Sequence, residues 1–294
     1  MRVLVTGAGG FVGGHIARNL ATAGFDVLAT ARSRVVVPPS DAASARRFKV
    51  LEVSIENQAA LPRDFDVVVH AAATSPARGV SFDQVISDNV IATRRVILHA
   101  LELRAKAFVY LSSVSAFGTI SSPVLDEKTP SINPDHYGAA KLIGELQLAA
   151  AARDLPSLAI RLPSVVGAGS ARNWPSECMR QLRAGKPFSF FNPDSPFNNL
   201  VHVNDLADLV ARAVSAPPLG HDMVVLGASG RITVGEVVEI VRRESGSTSA
   251  VTSRREPRGA FVIDWSKAAR TYGFMPMTVR ETLRRLGRDD TYMR

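Results

Sequence analysis

A strand that runs straight into a glycine-rich turn constrains this chain more than any other feature. Residues 1–14 read Met-Arg-Val-Leu-Val-Thr-Gly-Ala-Gly-Gly-Phe-Val-Gly-Gly, so the apolar run Val3 to Val5 leads into Gly7-x-x-Gly10-x-x-Gly13. Glycines at this spacing let backbone N–H groups approach an anion at the positive end of a helix, where any Cβ would stand in the way. The spacing is one residue wider at the front than the G-x-G-x-x-G form. A helical segment over 14–23 follows, Gly24 stops it, and a second apolar run begins at Val27. Strand, glycine turn, helix and strand in that order predict a dinucleotide-binding unit.

The same alternation continues. Short apolar runs at 3–6, 27–31, 48–53, 67–71, 107–111 and 158–162 are separated by helix-length segments. This predicts an α/β protein of the Rossmann type, with a doubly wound parallel sheet buried on both faces. After Pro163 the texture changes, with Gly167, Gly169, Pro175, Gly185, Pro187, Pro193 and Pro196 crowded together. A dinucleotide-binding domain over 1–165 and a smaller, mainly substrate-binding region over 166–294 are expected. The run at 223–226 implies that the second region is interleaved with the sheet near 221–230. The tail after Val279 reads as a short basic helix that frays.

The 294 residues are enough to bury a sizeable core. The single cysteine, Cys178, forms no internal disulfide, and no charged-then-apolar leader precedes the first strand, so a reducing cytoplasm is the expected location. The longest apolar stretches, such as 67–73, fall far short of the roughly 20 residues a membrane span needs. Formal charge is +8, with arginine pairs at 46–47, 94–95, 242–243, 254–255 and 284–285. The pairs are scattered and no aromatic residues interleave them, so they read as solvated faces, or as attraction for an anionic small molecule, rather than as a nucleic-acid surface. His70 and His202 lack partners at metal-ligand spacing, and no metal is expected.

Tyr137-Gly-Ala-Ala-Lys141 carries the chemistry. Tyrosine and lysine four apart share one helical face, so the ammonium can act on the phenol. A free phenol, with a pKa of about 10, is a poor acid or base at neutral pH. Lys141, together with a positively charged nicotinamide, is expected to favour phenolate. A hydroxyl to hold a substrate oxygen is offered at the end of a strand by Ser112-Ser113, where ligands bind in such sheets.

On these motifs the chain resembles the extended short-chain dehydrogenase/reductases, the group holding nucleotide-sugar epimerases, dehydratases and reductases. The resemblance covers about residues 1–230. T-G-x-x-G-x-x-G matches Thr6 to Gly13, and the H-x-A-A type motif matches His70-Ala71-Ala72. N-V-x-x-T matches Asn89 to Thr93, and Y-x-x-x-K followed by glutamate matches Tyr137, Lys141 and Glu145. R-x-P-x-x-x-G matches Arg161 to Gly167, and V-H-V-x-D matches Val201 to Asp205. Counting back from Gly118, the family's catalytic serine falls on Ser113. The resemblance implies Tyr137 as acid/base, Ser113 as the residue orienting the reacting oxygen, Lys141 as holder of the nicotinamide ribose, and Asn89 as a fourth catalytic position. It implies cofactor contacts at Gly7, Gly10, Phe11, Val12, Gly13, Glu52, Val53, Ala71, Ala72, Pro163 and Val165. Substrate contacts are expected at Thr74, Asn173, Arg180 and Asn198.

The chain departs from the family in two places. The acid expected at the end of the second strand is replaced by Ala31, and Arg32, with Ser33 and Arg34, can pair with a 2′-phosphate. NADP(H) is therefore expected over NAD(H), the alternative being that Arg32 stacks on adenine. Where an arginine commonly binds a nucleotide diphosphate, this chain has Asn198; Arg172, Arg180 or Arg183 can supply that charge, and Trp174 can stack on a base or pack in the core. The leading expectation is an NADP(H)-dependent oxidoreductase acting on a carbonyl or alcohol of a nucleotide-linked or related sugar. A nucleotide-sugar epimerase with retained NAD(P) and a non-catalytic NADP(H)-binding sensor are the alternatives. Dehydration is disfavoured because Val114-Ser115 lacks an acidic pair. The partner expected is a small molecule, with neither nucleic acid nor membrane, and a homodimer is compatible with the sequence.

Overall fold

A computed structural model describes residues 1–32, 36–76, 79–257 and 259–289. The chain forms two compact units, one of residues 1–119, 130–161 and 206–224, the other of 120–129, 162–205 and 225–294. The break falls after Arg161 rather than at 165. The returning segment also starts earlier than expected, at Leu206, because helix Val203–Ser215 carries the chain back before the last strand begins.

The first unit is built on β1 (Arg2–Thr6), β2 (Asp26–Ala31), β3 (Phe48–Glu52), β4 (Val67–His70), β5 (Ala107–Ser113), β6 (Ser157–Leu162) and β7 (His221–Val225). They lie in the order β7-β6-β5-β4-β1-β2-β3. The neighbouring pairs from β5 to β3 run parallel, with Val3 opposite both Val27 and Val67. The order reverses between β1 and β4, the place where such sheets open a crevice at their carboxyl ends. Val3, Leu4, Val5, Val67, Val68, Val69 and Phe108 are fully buried. Both faces of the central strands are covered, which is why they read as unbroken apolar runs, and each such side chain contributes about 1.5–3 kcal/mol.

The helices of this unit include α1 (Phe11–Thr22), α2 (Ala42–Arg46), α3 (Phe82–Ile86), α4 (Ala92–Glu102) and α5 (His136–Ala150), together with most of Val203–Ser215. A π turn, Ser87–Ile91, joins α3 to α4. α5 is capped by Asp135, whose side chain accepts from the Gly138 N–H at 2.7 Å. It lies close on β5 because Gly144 faces Tyr110: a Cβ at 144 would stand 2.5 Å from the Tyr110 hydroxyl oxygen.

In the second unit the strand Ser164–Val166 pairs in parallel with Leu200–His202. Helix α6 (Trp174–Arg183) buries Cys178, Met179 and Leu182 against Phe197, Val237, Val241 and Leu283. Trp174 packs edge-on to Phe197 at 5.5 Å, so its indole belongs to this core. Helix Val279–Asp289 confirms the basic tail helix, buried through Leu283 and Leu286. Among the described residues no helix is long and apolar enough to cross a membrane.

The contact between α5 and β5 makes a stability prediction. Gly144→Ala forces helix and strand apart and lowers unfolding free energy by about 1–3 kcal/mol, the usual scale of overpacking. The check is a denaturant midpoint at unchanged m-value, and a midpoint equal to that of the unaltered protein would contradict the packing described.

Candidate active site

The glycine turn is tight and crowded. Gly7 has φ +71°, and a Cβ there would lie 2.6 Å from the Ala72 backbone at the end of β4. A Cβ at Gly13 would collide with the Gly7 carbonyl. α1 starts on Gly10 with no side-chain cap and no acidic residue in its first turn. The N–H groups at Phe11, Val12 and Gly13 thus stand at an uncapped, positive helix end. Ala71 and Ala72 are held beside the turn: the Ala71 N–H donates to the Thr6 carbonyl at 3.2 Å, and that of Ala72 to Thr6 Oγ1 at 3.4 Å. This cradle, open to backbone and closed to side chains, fits the pyrophosphate of a dinucleotide.

Further along the strand ends, Ala31 is buried, and the Val53 N–H donates to its carbonyl at 3.0 Å. Glu52 is exposed at the end of β3. Arg32 is more than half exposed and forms a long ion pair with Asp88, at 3.4 Å. Asp88 also accepts from the Thr74 hydroxyl. Ser33 and Arg34 lie outside the described residues.

Thr74 and Asn89 are locked together. The Thr74 N–H donates to Asn89 Oδ1 at 2.8 Å, and Asn89 Nδ2 donates to the Thr74 carbonyl at 2.9 Å. Asn89 sits buried in the π turn, a distortion that recurs at functional sites. His70 is buried, with Thr6 Oγ1 at 2.7 Å and Thr93 Oγ1 at 3.0 Å. Burial, then the charge of Lys141, pushes its pKa down to about 3, so it is a neutral structural imidazole. Among the described residues no group of three His, Cys, Asp or Glu side chains is arranged to hold a metal.

The two serines at the end of β5 point to opposite faces, as successive strand residues must. Ser112 is buried and donates to Glu145. Ser113 is half-buried, and its Oγ accepts from the Ser115 N–H at 3.1 Å, leaving its own O–H to donate elsewhere. Gly138, the residue after Tyr137, packs against the Ser115 carbonyl, so the start of α5 lies on the turn that follows Ser113.

Lys141 Nζ stands 6.0 Å from the Tyr137 ring centroid and 4.7 Å from that of Tyr110. Burial pulls the Lys141 pKa down to about 7, opposed by the Glu145 carboxylate. Burial also pushes Tyr137 up to about 12, with Asp135 adding to the rise and a hydrogen bond from Ser75 working against it. Burial by itself therefore biases the phenol toward its protonated form, whereas the expectation of phenolate counts on a nicotinamide charge as well. The physical reason is that desolvation of the ring outweighs an ammonium that is itself desolvated.

Ser75, Phe82 and His136 were not singled out by sequence. The Phe82 and His136 rings lie 4.5 Å apart and, with Pro76, Val80, Val85, Pro134 and Tyr137, line a cavity of about 410 Å³. Only the packing of α3 against α5 brings them together.

In the second unit the expected substrate residues have local partners. Asn173 caps α6, accepting from the Ser176 N–H at 3.0 Å and donating to the Val165 carbonyl at 2.9 Å. Asn198 is buried and donates to the Ala228 and Ile263 carbonyls at 3.3 and 2.8 Å while accepting from the Ile263 N–H. Its amide ties backbone segments together. Arg180 is exposed and donates to Glu177 on its own helix at 2.9 Å. Pro163 follows β6, and Val165 pairs with Val201.

A dinucleotide-binding sheet with a tyrosine–lysine pair at its carboxyl edge defines the class. Residues 3–227 match the NAD dependent epimerase/dehydratase family, and the chain belongs to it. It is an NAD(P)-dependent enzyme of the epimerase and oxidoreductase type. It is 24% identical to an uncharacterized UDP-glucose epimerase of Bacillus subtilis (strain 168), over 95% of this chain and 94% of the relative. It is 29% identical to the D-erythronate dehydrogenase of Cupriavidus necator, over 92% and 90%. Its fold is similar to that of the UDP-glucuronic acid 4-epimerase from Bacillus cereus in complex with NAD, at TM-score 0.85 and 20% identity over 98% of this chain and 96% of that one.

Proposed function

We propose that this chain is an NADP(H)-dependent oxidoreductase that reduces a carbonyl, or oxidises the matching alcohol, on a nucleotide-linked or related sugar, with Tyr137 as acid/base. The observation that carries the reading is the Tyr137 phenol beside Lys141, on a helix that starts against the turn following Ser113. When bound, the dinucleotide donates or accepts the hydride. The backbone N–H groups of Phe11, Val12 and Gly13 bind its pyrophosphate, and Lys141 binds the nicotinamide ribose. Ser113 donates its free O–H to the substrate oxygen and orients it. Tyr137 donates its proton to that oxygen as negative charge develops there, and Lys141 stabilises the phenolate left behind.

The D-erythronate dehydrogenase relative supports an oxidoreductase, and the relatives named for UDP-sugars support a nucleotide-linked substrate. Those same relatives support a second reading, an epimerase that retains its cofactor. Self-association is also part of the proposal, supported by exposed Ile91, Leu98, Ile143 and Leu146 along the π turn, α4 and the neighbouring α5. A reducing cytoplasm is supported by the single buried Cys178.

The test follows nicotinamide absorbance while the protein is incubated with NADPH or NADH and a panel of keto-sugars, free and nucleotide-linked. Stoichiometric oxidation is expected, and Tyr137→Phe lowers turnover at least about a hundredfold with cofactor binding retained, the scale of losing a positioned acid. Isomerisation without net oxidation indicates the epimerase, and turnover within a few-fold in Tyr137→Phe removes the assigned role.

Cofactor choice is tested separately. The missing acid at Ala31 and the guanidinium of Arg32 support NADP(H), while the Asp88 pair competes with a 2′-phosphate for that guanidinium. Arg32→Ala weakens NADP(H) about tenfold, near the lower end for a hydrogen bond to a charged group because the side chain is exposed, and leaves NAD(H) little changed. Asp88→Asn, which frees Arg32, tightens NADP(H). Dissociation constants at fixed ionic strength decide it, and equal weakening of both cofactors in Arg32→Ala assigns Arg32 to adenine stacking.

A further inference from the structure

Behind the Tyr137 and Lys141 pair lies a buried charge cluster that the proposed chemistry does not use. Glu145 is one helical turn beyond Lys141 on the same face of α5. Its carboxylate is gripped by Arg161 from β6: Nε lies 3.0 and 3.2 Å from its two oxygens, and a terminal nitrogen lies at 2.7 Å. Ser112, the neighbour of Ser113, donates to the same carboxylate. Glu145 and Arg161 are 7% and 5% exposed at their side chains, which rules out a solvated surface pair. The guanidinium is further seated on the Phe117 ring, 4.1 Å from its centroid, in the turn that follows Ser113.

Resting on the reading of Tyr137 and Lys141 as the working pair, we propose that Glu145 is a positioning residue. It supplies the counter-charge of the Lys141 ammonium and fastens the end of β5 to α5. Three groups besides Glu145 face Lys141 from the elements around it. His70 on β4 is neutral, and Tyr110 on β5 and Tyr137 on α5 are phenols that burial keeps protonated. Arg161 on β6 is a second cation beyond the carboxylate. Asp88, on the π turn against α5, is engaged by Thr74 and Arg32. Glu145 is thus a buried carboxylate, paired with Arg161 and one helical turn from the buried Lys141. An isolated buried ammonium gives up its proton, and the carboxylate one turn away opposes that loss at Lys141. The same carboxylate links three strand-end and helix elements through Ser112, Arg161 and its own helix, so the position of Ser113 relative to α5 is set by it as well.

Because removing an ion-pair partner leaves the other charge buried, two variants with opposite expected signs are needed. Glu145→Gln leaves the buried Lys141 without its neighbouring carboxylate, and the Lys141 titration midpoint falls by at least about one pH unit, the lower bound for losing an adjacent opposite charge. Arg161→Met removes the competing cation and leaves Glu145 to Lys141, and the midpoint rises. The readout is 13C NMR of ε-labelled lysine across pH. The chain has six lysines, and Lys141→Met identifies the resonance. A folded variant is one with a cooperative melt. If Glu145→Gln does not fold, the rise in Arg161→Met decides the matter alone. An unmoved Lys141 midpoint in either folded variant overturns the proposal. The readout needs no substrate, so midpoints that move as stated in a protein without any turnover would sink the oxidoreductase reading and leave the role of Glu145 standing.

Discussion

The close approach of Gly7 to Ala72 is the constraint on which the rest of the site depends. β1 and β4 are neighbours where the strand order reverses, and their carboxyl ends meet so tightly that a Cβ at Gly7 would lie 2.6 Å from the Ala72 backbone. The turn can close only with glycine, in a left-handed conformation, and closing it aims the first N–H groups of α1 outward from an uncapped helix end. Thr6 then holds the residues after β4, and Asn89 holds Thr74 beyond them. One backbone contact thereby fixes a cradle for an anion and the floor of the crevice next to it.

The chemistry is built on the neighbouring strand by desolvation. α5 can lie on β5 because Gly144 clears Tyr110, and that packing buries Lys141 over the Tyr110 ring and most of Tyr137. Burial moves the phenol and the ammonium in opposite directions, to about 12 and about 7, so that both are biased toward their neutral forms. A group in that condition responds strongly to any charge brought near it, which is the property wanted in an acid that acts only when substrate and cofactor are in place.

Much of this was legible in the sequence because it is local. Unbroken apolar runs marked strands covered on both faces, and the glycine spacing and the four-residue step from Tyr137 to Lys141 are short-range patterns that fold alone cannot hide. What escaped depends on partners far apart in the chain. Arg32 reads as a free cation until Asp88 is seen 3.4 Å away, and Glu145 reads as a helix residue until Arg161 arrives from the next strand. Asn198 reads from sequence only as the replacement of an arginine; that its amide bonds the Ala228 and Ile263 backbones is visible only in the folded second unit. Phe82 and His136 carry no signal of their own. The extent to which burial raises the Tyr137 phenol escapes for a related reason, since spacing shows who the neighbours are and not how much water they lose.

The central claim is that the cradle of the first strand–helix turn receives the pyrophosphate of a nicotinamide dinucleotide. Backbone amide exchange, measured by NMR with and without saturating NADPH or NADH, tests it directly. The account predicts binding of one equivalent per chain, with new protection concentrated at the amides of Phe11, Val12 and Gly13 and at Ala72. Failure of both cofactors to bind, or binding that leaves those amides exchanging as before, would contradict it.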